Sequence, residues 1–196
     1  MSTVIKLYGN SASPYVRHCK IALIECCVEY DFIQADATLS TKLSPMQKIP
    51  FLEYFEAGQP KILTDSTSIL RYTREKSRQV FLETVEDLND YCSVTTLIDA
   101  QVNLFLLKKE GLNSGKIAYL KRQENRIKTG LKEFEAMNFT EKSPWSDVEL
   151  RLACFLDWVR FRKHFSLEVY PNLIDFLDCL NDYPPFLETS IADLIV

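Results

Sequence analysis

The feature that most limits the fold is a change of period near residue 78. Before it, short β-rich runs alternate with helical ones. Val4-Ile5-Lys6-Leu7-Tyr8 reads as a strand closed by Gly9-Asn10-Ser11. Pro14 to Val28 follows as a helix, with Val16, Cys19, Leu23 and Cys26 or Cys27 on one stripe. Tyr30 to Ala35 alternates as a second strand, Leu39 to Lys48 is a polar loop or short helix, and Ile49 to Phe55 is a third strand. Gly58-Gln59-Pro60 marks a tight turn into a short fourth strand, Lys61 to Thr64. Asp65 or Ser66 then opens a helix through Ile69, Leu70 and Tyr72.

A β-α-β start requires a parallel strand pair with a right-handed crossover, and the short turn at Gly58 requires an antiparallel hairpin. The order β-α-β, loop, β-β-α therefore predicts a mixed four-stranded sheet flanked by helices, the thioredoxin-like α/β arrangement, over residues 1–78. Residues 77–86 read as a linker, and 86–196 as an all-α domain. There Leu88, Tyr91, Thr95, Ile98, Val102 and Phe105 mark one long helix, and Ile117 to Met137 another. The basic side chains Lys121, Arg122, Arg126 and Lys128 on that second helix read as a solvated face. Ser146-Asp147-Val148-Glu149 is a capping box before a helix, Leu150 to Phe161, that is apolar nearly all round and so is expected at the core. Pro171 to Leu180 reads as the last helix, with proline at its first turn.

Composition excludes several classes. Among 196 residues, 23 basic and 27 acidic side chains leave a net charge of −4, against the basic stripe of a nucleic-acid binder. No uncharged apolar stretch of about 18 residues is present, so no membrane-spanning helix is expected. Val4-Ile5-Lys6 is not preceded by a basic region with an apolar run after it, so no secretory leader is expected and the location is read as cytoplasmic. Six cysteines without a C-x-x-C spacing read as free buried thiols, and two histidines without paired ligand spacing argue against a metal site.

Three local features carry chemistry, and each has a purely structural reading beside it. Ser13, before Pro14, is a natural N-cap; the same helix N-terminus would stabilise a thiolate that accepts a hydrogen bond from the Ser13 hydroxyl. Ile49-Pro50 is ordinarily trans, the cis form being about 5–6% of such bonds; if cis, the Ile49 backbone is open to pair with an extended peptide. Asp65-Ser66 are default capping residues, and alternatively Ser66 binds a carboxylate while Asp65 meets an ammonium group. His18 lies five residues beyond Ser13, near the opposite face of its helix, and is no obvious base for that hydroxyl.

In order and spacing, Ser13-Pro14-Tyr15-Val16-Arg17, Lys48-Ile49-Pro50-Phe51-Leu52 and Asp65-Ser66-Thr67-Ser68-Ile69-Leu70 resemble the cytosolic glutathione S-transferases, in particular bacterial, serine-type members. Trp145 to Ala153 resembles that family's capping-box core helix, and Trp158-Val159-Arg160-Phe161-Arg162 the run that follows it. The resemblance implies a cytoplasmic homodimer in detoxification, using glutathione as co-substrate and no metal. It implies that Ser13 activates the glutathione thiol, with Ser11 as the alternative hydroxyl. Ile49, before Pro50, pairs with the cysteinyl part, Asp65 and Ser66 hold the γ-glutamyl end, and Lys48 reaches the glycyl carboxylate. The thiolate then attacks a small apolar electrophile lodged between the domains. Serine rather than cysteine at position 13 favours conjugation or isomerisation, because serine forms no mixed disulfide. Gln47 stands where the family commonly has glycine, so the loop before Lys48 is expected to differ in shape. The chain is also short for the family, which implies a more open electrophile pocket. Two further readings remain: a non-catalytic protein-interaction module on the same fold, and a glutathione-dependent reductase or peroxidase, for which Cys19 lies too far along its helix to act at the N-terminus.

Overall fold

In the computed structural model, which describes residues 4–192 and 194, four strands form one sheet in the order β2-β1-β3-β4. They are β1 (Ile5–Gly9), β2 (Tyr30–Gln34), β3 (Phe51–Glu56) and β4 (Gln59–Leu63). The outer ends of both expected domains, at residues 1–3 and at 193, 195 and 196, lie outside the described residues. β1 runs parallel to β2 with Gly9 opposite Gln34, and antiparallel to β3 with Tyr8 opposite Phe51. β3 pairs antiparallel with β4, Leu52 opposite Leu63. This is the mixed thioredoxin-like sheet. Pro60 lies inside β4 rather than in the turn, which an edge strand tolerates because one side of it needs no N–H donors. The turn is one residue earlier than expected, at Ala57-Gly58, both with positive φ (49° and 78°) as a two-residue hairpin requires.

The side-chain alternation of the sheet divides its core. Tyr8 stacks on Phe51 with ring centroids 4.4 Å apart, and Ala35, Ile33 and Leu39 join them. Leu7 and Leu52 point to the other face, where α1 (Pro14–Glu25) packs. Gly9 allows that approach, since a Cβ there would lie 2.4 Å from a Val16 methyl. α1 contacts α3 (Ser66–Lys76), and Val16 and Cys19 of the first and Ile69 and Leu70 of the second are fully buried. α2 (Ala37–Leu43) forms at the start of the segment read as a loop or short helix, capped by Asp36, whose carboxylate accepts from the Leu39 N–H at 2.8 Å.

α1 ends three residues before the expected Val28. Cys26 is its C-cap and Cys27 takes φ 50°, while the Val28 N–H donates to the Leu23 carbonyl and the Cys27 N–H to that of Ile24. That is a Schellman end with cysteine in the left-handed position usually held by glycine. Cys26 and Cys27 therefore leave the buried stripe. Of the six free cysteines only Cys19 and Cys154 are buried, which narrows the expectation of buried thiols to two.

The chain divides into two compact units, Met1–Phe81 with Pro184–Val196, and Leu82–Tyr183. The first unit takes in the chain from 184 onward together with the sheet. The reason is α8 (Pro184–Glu188), a helix beyond the one expected to be last. The buried Arg17 guanidinium donates to the Phe186 carbonyl (2.9 Å) and the Thr189 hydroxyl (3.3 Å) and lies 3.7 Å from the Phe186 ring centroid.

The helical unit contains α4 (Val85–Lys109), α5 (Ala118–Glu135), α6 (Asp147–Arg162) and α7 (Pro171–Cys179), followed by a 3₁₀ turn at Leu180–Asp182. α6 is its core: Leu150, Leu152, Ala153, Cys154, Phe155, Leu156 and Val159 have no exposed surface. Its capping box is formed, the Ser146 hydroxyl accepting from the Glu149 N–H and the Glu149 carboxylate from the Ser146 N–H. Among the described residues, no helix is long and apolar enough to cross a membrane, and no three metal-binding side chains cluster.

His164, just after α6, lies edge-on to Phe105 and Trp158. Burial, reinforced by the charges of Arg162 and Lys108, lowers its pKa to about 4. An unfolded histidine binds its proton near pH 6.5, so acidification between these values protonates the unfolded state first and destabilises the fold. Urea titrations at pH 7 and pH 4.5 are expected to show about 1–2 kcal/mol less acid sensitivity in His164→Asn than in the wild type, allowing for partial solvent screening. Equal acid sensitivity in the two proteins contradicts the assignment.

Candidate functional site

Strand direction brings the three sequence features to one end of the sheet. β1 and β2 finish there in parallel, β3 begins there because it runs antiparallel to β1, and β4 finishes there because it runs antiparallel to β3. The residues following Gly9, preceding Phe51 and following Leu63 therefore share one edge. They hold Ser11 and Ser13, Lys48 to Pro50, and Asp65 with Ser66. The N-termini of α1 and α3 both open onto this edge, presenting two positive dipole ends.

Ser13 is the N-cap of α1, with Pro14 at the first helical position. Its hydroxyl accepts from the Val16 N–H at 3.5 Å, the long limit of a hydrogen bond, so the oxygen is only weakly used by the cap. Its other bonds are local: its N–H donates to the Asn10 carbonyl and its carbonyl accepts from Arg17. The Ser11 hydroxyl is more firmly occupied, donating to the Gln34 side-chain oxygen at 2.9 Å while the Ser11 N–H reaches the same atom at 3.3 Å. Tyr8, another hydroxyl near this end, donates to Glu53 at 2.8 Å. Burial and then Glu53 push it up to about 12, so it stays protonated and engaged at neutral pH.

The Ile49-Pro50 bond is cis. The β1–β3 ladder stops at Phe51, and among the described residues nothing hydrogen-bonds to the Ile49 N–H or carbonyl. The Ile49 side chain packs on the Tyr8–Phe51 cluster, which fixes the direction of this open backbone. Gln47 holds φ 52°, so the loop keeps the left-handed conformation a glycine would favour despite the side chain.

Asp65 caps α3, its carboxylate accepting from the Thr67 N–H at 2.9 Å. The same carboxylate pairs with Lys48 at 2.8 Å, both side chains being about half exposed. Burial alone would raise the Asp65 pKa, but the Lys48 pair and the Thr67 N–H outweigh it and hold the carboxyl below its usual range. Lys48 and Asp65, expected to serve opposite ends of a ligand, are thus joined to each other. Ser66 is at the first helical position and largely buried, its carbonyl 3.9 Å from the Cys19 thiol.

Two polar residues of this edge escaped the sequence reading. Asn10 makes an Asx turn, its side-chain oxygen accepting from the Ala12 N–H at 2.9 Å, a habit of asparagine after a strand that was available as a signal. Gln34 meets Ser11 only because of the β1–β2 register, for which no local pattern exists. Neither of two sizeable cavities, one of about 650 Å³ in the helical unit and one of about 460 Å³ by Cys26 and Tyr72, is lined by the candidate residues. The edge offers an open surface with donors at two helix ends, an unpaired extended backbone and a lysine–aspartate pair. Such a surface suits an extended, zwitterionic peptide carrying an anionic centre.

Residues 7–80 match the family model of the glutathione S-transferase N-terminal domain, a span that contains every candidate residue. No curated relative matches the chain by sequence. A glutathione S-transferase from Methylobacterium radiotolerans, solved with glutathione sulfonate, is 20% identical over 99% of this chain and 100% of its own, with a TM-score of 0.79. A glutathione transferase family member from Pseudomonas fluorescens with bound glutathione is 23% identical over 94% and 98%, at 0.79. A maleylacetoacetate isomerase from Anaeromyxobacter dehalogenans with glutathione bound is 16% identical over 95% and 94%, at 0.70. At these identities the likeness is one of fold.

Proposed function

We propose that this chain is a glutathione transferase of the glutathione S-transferase family, of the serine type, which stabilises the glutathione thiolate for attack on a small apolar electrophile. The observation that carries this reading is the meeting of two helix N-termini and the open Ile49 backbone at one sheet edge. In it, the glutathione sulfur rests at the α1 N-terminus and accepts a hydrogen bond from Ser13. The cysteinyl backbone pairs with Ile49, and the γ-glutamyl carboxylate faces the α3 N-terminus at Ser66. Asp65 meets the γ-glutamyl ammonium, and Lys48 turns to the glycyl carboxylate as the ligand draws their ion pair apart. Stabilising the nucleophile and holding it beside the electrophile account for acceleration without a metal. Assembly as a cytoplasmic homodimer belongs to the same reading, and sedimentation at micromolar concentration tests the dimer.

Calorimetric titration with glutathione is the first experiment. Micromolar-to-millimolar binding is expected, weakened by about tenfold in Ser66→Ala, which removes a hydroxyl contact to a charged group. No heat at millimolar glutathione removes the transferase reading. One observation favours a second reading, a protein-interaction module on the same fold: Lys48 and Asp65 already neutralise one another. That module predicts the same absence of glutathione binding.

A further inference from the structure

The cavity of about 460 Å³ lies within the first unit, at the end of the sheet away from the candidate edge, where β1 and β2 begin and β3 ends. Its lining includes Cys26 and Cys27 at the end of α1, Tyr54 and Phe55 from β3, and Tyr72 from α3. The Tyr54 and Tyr72 rings are 4.5 Å apart and tilted by 42°, and Phe55 is 43% exposed, so an aromatic wall opens to solvent here. Cys26 and Cys27 are consecutive free cysteines, the first half-buried and the second exposed. The Cys26 thiol donates to the Gln79 side-chain oxygen at 3.5 Å and accepts from the Arg74 guanidinium at 3.7 Å. Sulfur makes weak bonds of this kind, and they are given up at little cost.

The two thiols are badly placed to oxidise onto each other. Their peptide bond is trans, so their Cα atoms are about 3.8 Å apart, whereas a relaxed disulfide asks for about 4.4–6.8 Å. One atom inserted between the sulfurs removes that shortfall. The backbone is already fixed on both sides, the N–H groups of Cys26, Cys27 and Val28 donating to the carbonyls of Ala22, Ile24 and Leu23. The second sulfur therefore waits beside the first without further ordering of the chain. Among the described residues no group of three metal-binding side chains forms, so the pair does not supply the four protein ligands of a structural zinc site. Two thiols instead suit a soft centre that takes two sulfurs and carries its own third substituent.

We propose that Cys26 and Cys27 form a covalent site for trivalent arylarsenicals, one arsenic bridging the two sulfurs and its aryl group lying against Tyr54, Phe55 and Tyr72. In water such a compound is an arsonous acid with two hydroxyl groups on arsenic. Each thiol displaces one of them, and the thiol proton leaves with it as water. Two arsenic–oxygen bonds break, two arsenic–sulfur bonds form, and arsenic stays trivalent, so no oxidant or reductant is required. The site shares no residue with the candidate edge and does not depend on the transferase reading.

Intact-protein mass spectrometry after one equivalent of phenylarsine oxide, followed through a titration with mercaptoethanol, tests the assignment. Closing the second arsenic–sulfur bond is intramolecular, so one phenylarsenic group per chain is expected to persist in millimolar mercaptoethanol and to leave with the dithiol dimercaptopropanol. Cys26→Ser and Cys27→Ser are each expected to release it at about 100-fold lower mercaptoethanol. Cys27 is exposed, so its variant tests the bridge even where Cys26→Ser fails to fold. The double variant Cys92→Ser, Cys179→Ser, which removes the other two exposed thiols, is expected to retain the group as the wild type does. Methylarsonous acid is expected to be held about tenfold less firmly than the phenyl compound, and Phe55→Ala to narrow that difference. The proposal is overturned by an adduct that still carries mercaptoethanol on arsenic, by wild-type retention in either single variant, or by equal retention of the phenyl and methyl compounds.

Discussion

Ser13→Ala is expected to lower kcat/KM for conjugation of chlorodinitrobenzene by about 10–100-fold, the worth of a hydrogen bond to a charged group. Glutathione affinity is expected to stay within about threefold, because the neutral thiol gains little from the same hydroxyl. The Ser13 oxygen accepts from Val16 only at 3.5 Å, so its alanine variant also loses little of the helix cap, about 0.5–1 kcal/mol. Ser11 provides the contrast. Its proton is directed to Gln34, and Ser11→Ala is expected to change kcat/KM by no more than about threefold. Ultraviolet titration of bound glutathione separates a thiolate effect from a general one: the thiol pKa rises by about one unit or more in Ser13→Ala and not in Ser11→Ala. A full rate in Ser13→Ala, or an unshifted thiol, removes Ser13 from the chemistry.

Arg74→Ala carries the largest expected loss of stability, about 3–5 kcal/mol. The Arg74 guanidinium pairs with Glu25 at 2.6 Å, with side chains only 7% and 14% exposed, and also donates to the Gln79 side chain at 3.1 Å. It ties the last turn of α3 to the last turn of α1. Removing it leaves the Glu25 carboxylate with much of its hydration lost and its principal cation gone, a state costlier than losing both partners. Urea unfolding of Arg74→Ala, Glu25→Ala and the double variant is the measurement. The double variant is expected to be less destabilised than the sum of the singles, by about 1–3 kcal/mol. Strict additivity would show that the pair contributes nothing beyond its separate contacts.

Much of the architecture was legible because it is written in local periods. The switch from two-residue to three- and four-residue spacing near residue 78 separates sheet from helices, and Ser146 with Glu149 marks the start of the core helix three residues apart. What escaped depends on backbone states or distant partners. Cys27 and Ala57 adopt positive φ without being glycine, so the end of α1 and the first residue of the hairpin turn carried no conformational signature. The isomer at Ile49-Pro50 is not encoded in that dipeptide. The candidate site was legible as three separate pairs of residues, each equally suited to capping or turning. Their meeting depends on strand direction and register, and the Lys48–Asp65 pair spans 17 residues of sequence. Arg17 and Phe186 are 169 residues apart, beyond any local reading of where the last helix packs.

That last contact bears on how the protein is made. The sheet and its helices leave the ribosome first, yet the segment that receives the Arg17 guanidinium follows about a hundred residues of inserted helical unit. The first unit is therefore a discontinuous domain whose final piece arrives last, and α1, with Ser13 at its tip, reaches its native surroundings only after the helices have been synthesised. A nascent chain stalled in α6 holds every residue of the candidate edge but not the carbonyl and hydroxyl that seat the helix beneath it.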